Sequence, residues 1–115
     1  MATTTLKSLA IETQLTTSAA NLFESGASEK IFIGKLTFTN TSASDVEVTV
    51  WRLNSTTTAT TGSGGNWLVK KTIPAGKVWI CDKVSGHILG NSQVIKASAG
   101  TASVINADAS GTSEV

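Results

Sequence analysis

The chain alternates. In "DVEVTVWRL" (45–53), Val46, Val48 and Val50 point to one side of an extended backbone, and Asp45, Glu47 and Thr49 to the other. A period of two residues describes a strand with one buried face, and it is incompatible with a helix over this stretch. The preceding segment, "EKIFIGKLTFTN" (29–40), reads the same way. Phe32, Leu36 and Phe38 are expected on one face and Ile31 and Ile33 on the other, with Gly34 as a bulge or a point of close approach. The polar "TSAS" (41–44) between these two segments predicts a turn, and the pair reads as a β-hairpin.

The alternation recurs. Further strands are expected at 66–73, 77–84, 93–99 and 101–108, with a short one within 86–90 and a possible last one at 113–115. "PAG" (74–76) predicts a tight turn, Pro74 fixing φ and Gly76 supplying the permissive conformation. Over 77–84, Val78 and Ile80 share one face, and Trp79 and Cys81 the other. The Ser/Thr/Gly tract 54–65 reads as a polar loop. About eight short strands, with turn signals roughly every ten residues, predict an all-β antiparallel sandwich or jelly roll.

The first residues differ from the rest. "MATTTLKSLAIETQLTTSA" (1–19) is rich in Thr, Ser and Ala. A helix over 6–15 fits the apolar spacing, but the Thr runs favour extended chain, with strands near 7–13 and 20–24. Residues 1–19 are therefore read as an N-terminal arm and 20–115 as the β-sandwich domain. The arm either packs on a neighbouring subunit or forms the first strand of the sheet. Leu6, Leu9 and Ile11 are its candidate contact residues.

With 115 residues, one domain with its own core is expected. Nine basic and eight acidic residues leave a net charge of +1, which argues against an electrostatic grip on nucleic acid or an anionic membrane surface. Charged residues make up 15%, against about 25% in an ordinary domain, so Ser, Thr and Asn supply the polar surface. No signal peptide is visible at the start and no run approaches a membrane span, so synthesis in a cytoplasm is expected.

The inventory for chemistry is thin. His87 is the single histidine, tyrosine is absent, and Cys81, the single cysteine, has no histidine close in sequence. No catalytic residue, cofactor or metal is expected from this set. "TGSGGNW" lacks the Lys-Ser/Thr of a phosphate-binding loop and opens a strand rather than a helix. Cys81 reads as a small buried hydrophobe or as a bridge between identical subunits. Trp51, Trp67 and Trp79 are core or rim packing, anchors of a subunit interface, or a sugar-stacking platform. Trp51, out of phase with the three valines, is expected on the outer face. Asn40-Thr41-Ser42 and Asn54-Ser55-Thr56 match the glycosylation sequon, read here as chance.

Four short elements carry a family likeness: "TNTS" at 39–42, "IPAG" at 73–76, "GHIL" at 86–89 and "IKASA" at 95–99. Over about residues 20–115, the chain resembles small β-sandwich virion structural proteins of tailed bacteriophages. It departs from their pattern at Asn91-Ser92, where a Gly-Asp pair often stands. The resemblance implies a non-enzymatic capsid decoration or cement protein that stabilises the shell through sheet and arm contacts. Its implied partners are the major capsid protein or other virion proteins, with a homo-oligomer, most readily a trimer, and a location in the virion. A tail, neck or fibre component is the alternative, and a carbohydrate-binding β-sandwich module a further one.

Overall fold

The chain crosses repeatedly between two sheets. The computed structural model describes residues 3–54 and 67–115. It contains β1 (Thr4–Gln14), β2 (Ala20–Glu24), β3 (Lys30–Asn40), β4 (Val46–Leu53), β5 (Val69–Ile73), β6 (Val78–Ile80), β7 (Ile88–Leu89), β8 (Val94–Ala99) and β9 (Ile105–Glu114), with no helix among the described residues. Sheet A runs β1-β9-β3-β6, with β7 pairing β3 beyond the end of β6; sheet B runs β2-β8-β4-β5. All pairings are antiparallel. Two sheets wound in this order, each closed by strands distant in sequence, make a jelly-roll sandwich.

The expected hairpin of 29–40 with 45–53 does not form. β3 lies in sheet A between β9 and β6, and β4 lies in sheet B between β8 and β5. The segment between them is a corner from one sheet to the other. Asn40, fully buried, holds it. Its Nδ2 donates to the carbonyls of Ser44 (2.8 Å) and Ile73 (2.9 Å), and its Oδ1 accepts from the Ser42 amide (2.9 Å) and hydroxyl (2.8 Å). The asparagine of the first sequon is thus a pin between the sheets. A carboxamide suits it because two acceptors and two donors converge there.

The faces of β3 also differ from expectation. Ile31, Ile33, Leu36 and Phe38 all point into the core, while Phe32 is exposed. Gly34 is the cause. The register passes from Ile33↔Gly111 to Lys35↔Ser110, so Gly34 is an extra residue that inverts the phase of the strand. Gly111 is the second requirement, because a Cβ there would lie 2.1 Å from the Phe32 carbonyl oxygen.

Four cross-strand pairs set the packing between the sheets. Phe38 lies beside Ala107 and Leu36 beside Ala109 in sheet A; Val50 lies beside Ala97 and Val48 beside Ala99 in sheet B. All eight are buried. Large beside small lets the two inner faces interdigitate at close-packed density. Ile31, Ile33, Ile73, Ile95, Ile105, Val84 and Leu89 complete this core.

Smaller differences follow from turns. The strand expected over 77–84 stops at Ile80, because the chain turns over Cys81–Gly86 with Ser85 bonded to the Cys81 carbonyl and Gly86 at φ 89°. The segments 101–108 and 113–115, read as two strands, are one, because β9 runs unbroken along both β1 and β3. Residues 4–14 are the edge strand of sheet A rather than a helix. The "PAG" turn forms, with Gly76 at φ 69°. The loop at 54–65 lies, apart from Asn54, outside the described residues.

Candidate interaction surface

The outer face of sheet A is where apolar side chains meet solvent. Registers fix which residues share it. One row across the sheet reads Leu6, Thr112, Phe32, Ile88. A second reads Thr4, Glu114, Lys30, and a third Asp108, Thr37, Ile80; Gln14, Asn106, Thr39 and Val78 form the far row. Of the large hydrophobic residues left exposed, Leu6 (87%), Ile11 (68%), Val78 (60%), Ile80, Ile88 and Phe32 belong to this face. Scattered exposed hydrophobes need no explanation, but a set gathered on one face of one sheet marks an interaction surface.

The bulges of the strands bring these side chains together. Gly34 turns Phe32 outward. On β1 the register shifts between Ser8 and Ala10, and Leu9, the extra residue, packs toward the core. Leu6 and Ile11, five residues apart, therefore share the outer face, which an unbroken strand would forbid. Ile11 helps to line a depression of about 290 Å³ with Lys35, Thr37, Asp108 and Ser110. A second, of about 260 Å³, is lined by Thr4, Lys30, Phe32, Ile88, Thr112 and Glu114. Lys30 stands opposite Glu114 across the strands, so the charges at this rim are of both signs.

At the same end, Lys7 Nζ donates to Glu29 Oε2 at 2.8 Å, and the Ser113 hydroxyl donates to the same oxygen. The Gly26 amide donates to Glu29 Oε1 at 3.0 Å. The Lys7 bond first, then those from Ser113 and Gly26, hold the Glu29 carboxyl down at about 2. This clasp fastens β1 and β9 to the start of β3.

The residues singled out in sequence have different fates. Leu6 and Ile11 stand on the outer face, whereas Leu9 is partly covered by the core. Trp79 points inward and stacks on Phe38, ring centroids 5.5 Å apart. Trp51 lies on the outer face of sheet B, covered to 7% exposure in a small cluster with Leu53, Val94 and Ala19, its Nε1–H without a hydrogen-bond partner among the described residues. Trp67 is 42% exposed, with Lys70 Nζ 5.4 Å above its ring. The three rings are not gathered into one platform. Cys81 is fully buried, and burial pushes its thiol up to about 11. His87 acts through its backbone, its carbonyl accepting from Ile33 and its amide donating to Val84. No cluster of metal-ligating side chains occurs among the described residues.

No protein-family model matches the chain, and no curated protein matches its sequence. Solved structures do match in fold. A chain of the Bacillus endospore appendages, described as a family of disulfide-linked pili, aligns over 99% of this chain and 88% of its own, at 12% identity and a TM-score of 0.51. A chain of infectious bursal disease virus, Gx strain, aligns over all of this chain at 12% identity and a TM-score of 0.50, and this chain spans 33% of its length. A chain from the acid-stable capsid of Helicobacter pylori bacteriophage KHP30 aligns at 12% identity over 100% of this chain and 94% of its own, with a TM-score of 0.46. At these identities the likeness is one of fold.

Sequence reasoning missed Phe32, Ile88, Val78 and Ile80 as surface residues. The pairing of Val78 with Ile80 on one face was visible, but nothing local said that this face looks outward. Phe32 was assigned with Leu36 and Phe38 because the phase change at Gly34 was not carried through the strand.

Proposed function

We propose that this chain is a non-enzymatic structural subunit of a bacteriophage virion, acting as a decoration or cement protein on the capsid. The observation that carries this reading is the apolar outer face of sheet A, built by Leu6, Phe32, Ile88, Ile80 and Val78 on a rigid, closely packed sandwich. A face of apolar side chains interspersed with Thr and with charges of both signs suits burial against another protein surface. A low charge density suits many copies side by side, since it avoids long-range repulsion. The fold likeness to a pilus chain and a viral chain supports a subunit of a larger assembly. The buried thiol of Cys81 supports the absence of nucleophilic chemistry.

The test is the copy number and position of the chain in purified particles, by mass spectrometry and then particle imaging. Hundreds of copies on the shell support decoration. About a dozen at one vertex moves the role to the tail, neck or fibre. Absence from particles overturns the virion reading. A glycan-binding role has weaker support, since Trp51 and Trp79 are covered and Trp67 alone stays open to a sugar ring.

A further inference from the structure

We infer that β1 is a pairing edge for a second copy of this chain, joined antiparallel about a two-fold axis across residues 6–11. β1 ends sheet A, and among the described residues no strand pairs its outer side. It has 11 residues, whereas the other edges, β2, β5 and β6, have 5, 5 and 3. A long open edge presents backbone donors and acceptors that only another extended chain satisfies in series.

Two of the usual guards of such an edge, a charge standing across it and a proline, are missing here, although β1 carries a bulge at Leu9. Lys7 is the one basic residue on β1, and its ammonium is drawn to Glu29 at 2.8 Å rather than standing across the edge. No proline interrupts the strand. The usable edge ends after Ile11, where Glu12 adopts φ 48° and gives its amide to Asp108 Oδ1 at 3.0 Å. That leaves residues 6–11 as the available segment.

This segment complements itself. Turned about a two-fold axis between Ser8 and Leu9, it sets Leu6 against Ile11 of the second copy and Lys7 against Ala10. No like charges meet. The bulge at Leu9 makes the match work, because it puts Leu6 and Ile11 on the same outer face despite their odd spacing. The two side chains are the most exposed large hydrophobes among the described residues, at 87% and 68%, and the pairing covers both twice over. It also merges two sheets A into one continuous sheet, so that the row of Leu6, Phe32 and Ile88 continues across the seam into Ile11 of the second copy. The inference does not require a virion role: absence from particles would leave the pairing intact.

Sedimentation and light scattering on the full chain over a rising concentration series test it directly. Dimers are expected, and the Leu6→Lys/Ile11→Lys double variant should be monomeric, with the urea midpoint that the wild type shows when diluted to monomer, since both side chains are exposed in the single chain. A mixture of Leu6→Cys and Ile11→Cys chains should form a disulfide between the two variants under mild oxidation, whereas Leu6→Cys alone should not, and buried Cys81 should stay silent. A wild-type chain that remains monomeric up to its solubility limit overturns the inference. So does a dimer that survives the double variant, or a disulfide between two Leu6→Cys chains.

Discussion

Asn40→Asp is the sharpest probe of how the two sheets are held together. The exchange keeps the side chain's shape and its two acceptor bonds from Ser42. It replaces the Nδ2 donor by an oxygen facing the carbonyls of Ser44 and Ile73 at 2.8 and 2.9 Å. Two attractive contacts become two repulsive ones. Ser44 is exposed, so water can take over its carbonyl, and that lost bond costs about 1 kcal/mol. The Ile73 carbonyl is bonded in a buried setting, so leaving it unpaired costs about 1–3 kcal/mol. The sum is about 3 kcal/mol. With a urea slope of about 1–2 kcal/mol/M for a domain of this size, the midpoint should fall by roughly 2 M. The effect also carries a pH signature. The introduced carboxylate meets two carbonyls and little water, so its folded pKa rises above the unfolded value. The folded state then holds the proton more tightly, and the variant loses further stability as pH rises through that folded pKa. Urea titrations of wild type and variant at pH 4 and pH 7 measure both effects. A midpoint change equivalent to less than about 1 kcal/mol, identical at the two pH values, would refute the account of Asn40 as the pin of the corner.

Three further outcomes are expected. Gly111→Ala puts a Cβ 2.1 Å from the Phe32 carbonyl oxygen and 3.3 Å from the Gly34 nitrogen, both backbone, so it should destabilise by more than the usual overpacking range of about 1–3 kcal/mol. Gly76→Ala, with φ 69° and open space around it, should cost only about 1–2 kcal/mol in the same assay, and equal losses for the two would contradict the close approach of β3 and β9. The Glu29 carboxyl, held at about 2 against an ordinary 4.5, contributes stability that is complete above the unfolded value and disappears as pH falls through the folded one. Because Lys7 is 42% exposed, that contribution should be about 1 kcal/mol, and wild type and Glu29→Gln should converge in stability as pH falls toward 2; a constant difference would show that the clasp is not ionic. Cys81, with its thiol at about 11, should be thiolate in about one molecule in a thousand at pH 8 and should react with a thiol reagent only as fast as the protein unfolds, so rapid labelling of the native protein would contradict its burial.

What could be read from the sequence was local, and what could not be read was pairing. The strand at 20–24, the turn at 74–76 and the bulge at Gly34 were legible because each rests on the conformational preference of one or two residues. The strand partners were not, because the alternation of 45–53 states which side of a strand is apolar and says nothing about which strand lies beside it. Of the strands that follow one another in the chain, only β4 and β5 bond to each other. The corner at 41–44 looks like a hairpin turn in composition, and the difference lies in Asn40, whose amide bonds a carbonyl 33 residues away at Ile73. The candidate surface was half legible for the same reason. Leu6 and Ile11 stood out as apolar residues in a polar segment, but their common face depends on an extra residue at Leu9 that only the register against β9 reveals. Phe32 reached the outer face through the matching device on β3. One bulge on each strand that flanks β9 lies here, Leu9 opposite Ser110 and Ala109 and Gly34 opposite Ser110 and Gly111. Together they set Leu6, Ile11 and Phe32 on the outer face, beside Val78, Ile80 and Ile88 of strands without a bulge. A regular β3 would have kept Phe32 with Leu36 and Phe38, as the sequence pattern suggests, and would have turned Ile31 and Ile33 outward in its place. The make-up of the surface therefore depends on the irregularity of the sheet: without the extra residue at Gly34, Phe32 would turn inward, and without the one at Leu9, Leu6 and Ile11 would lie on opposite faces.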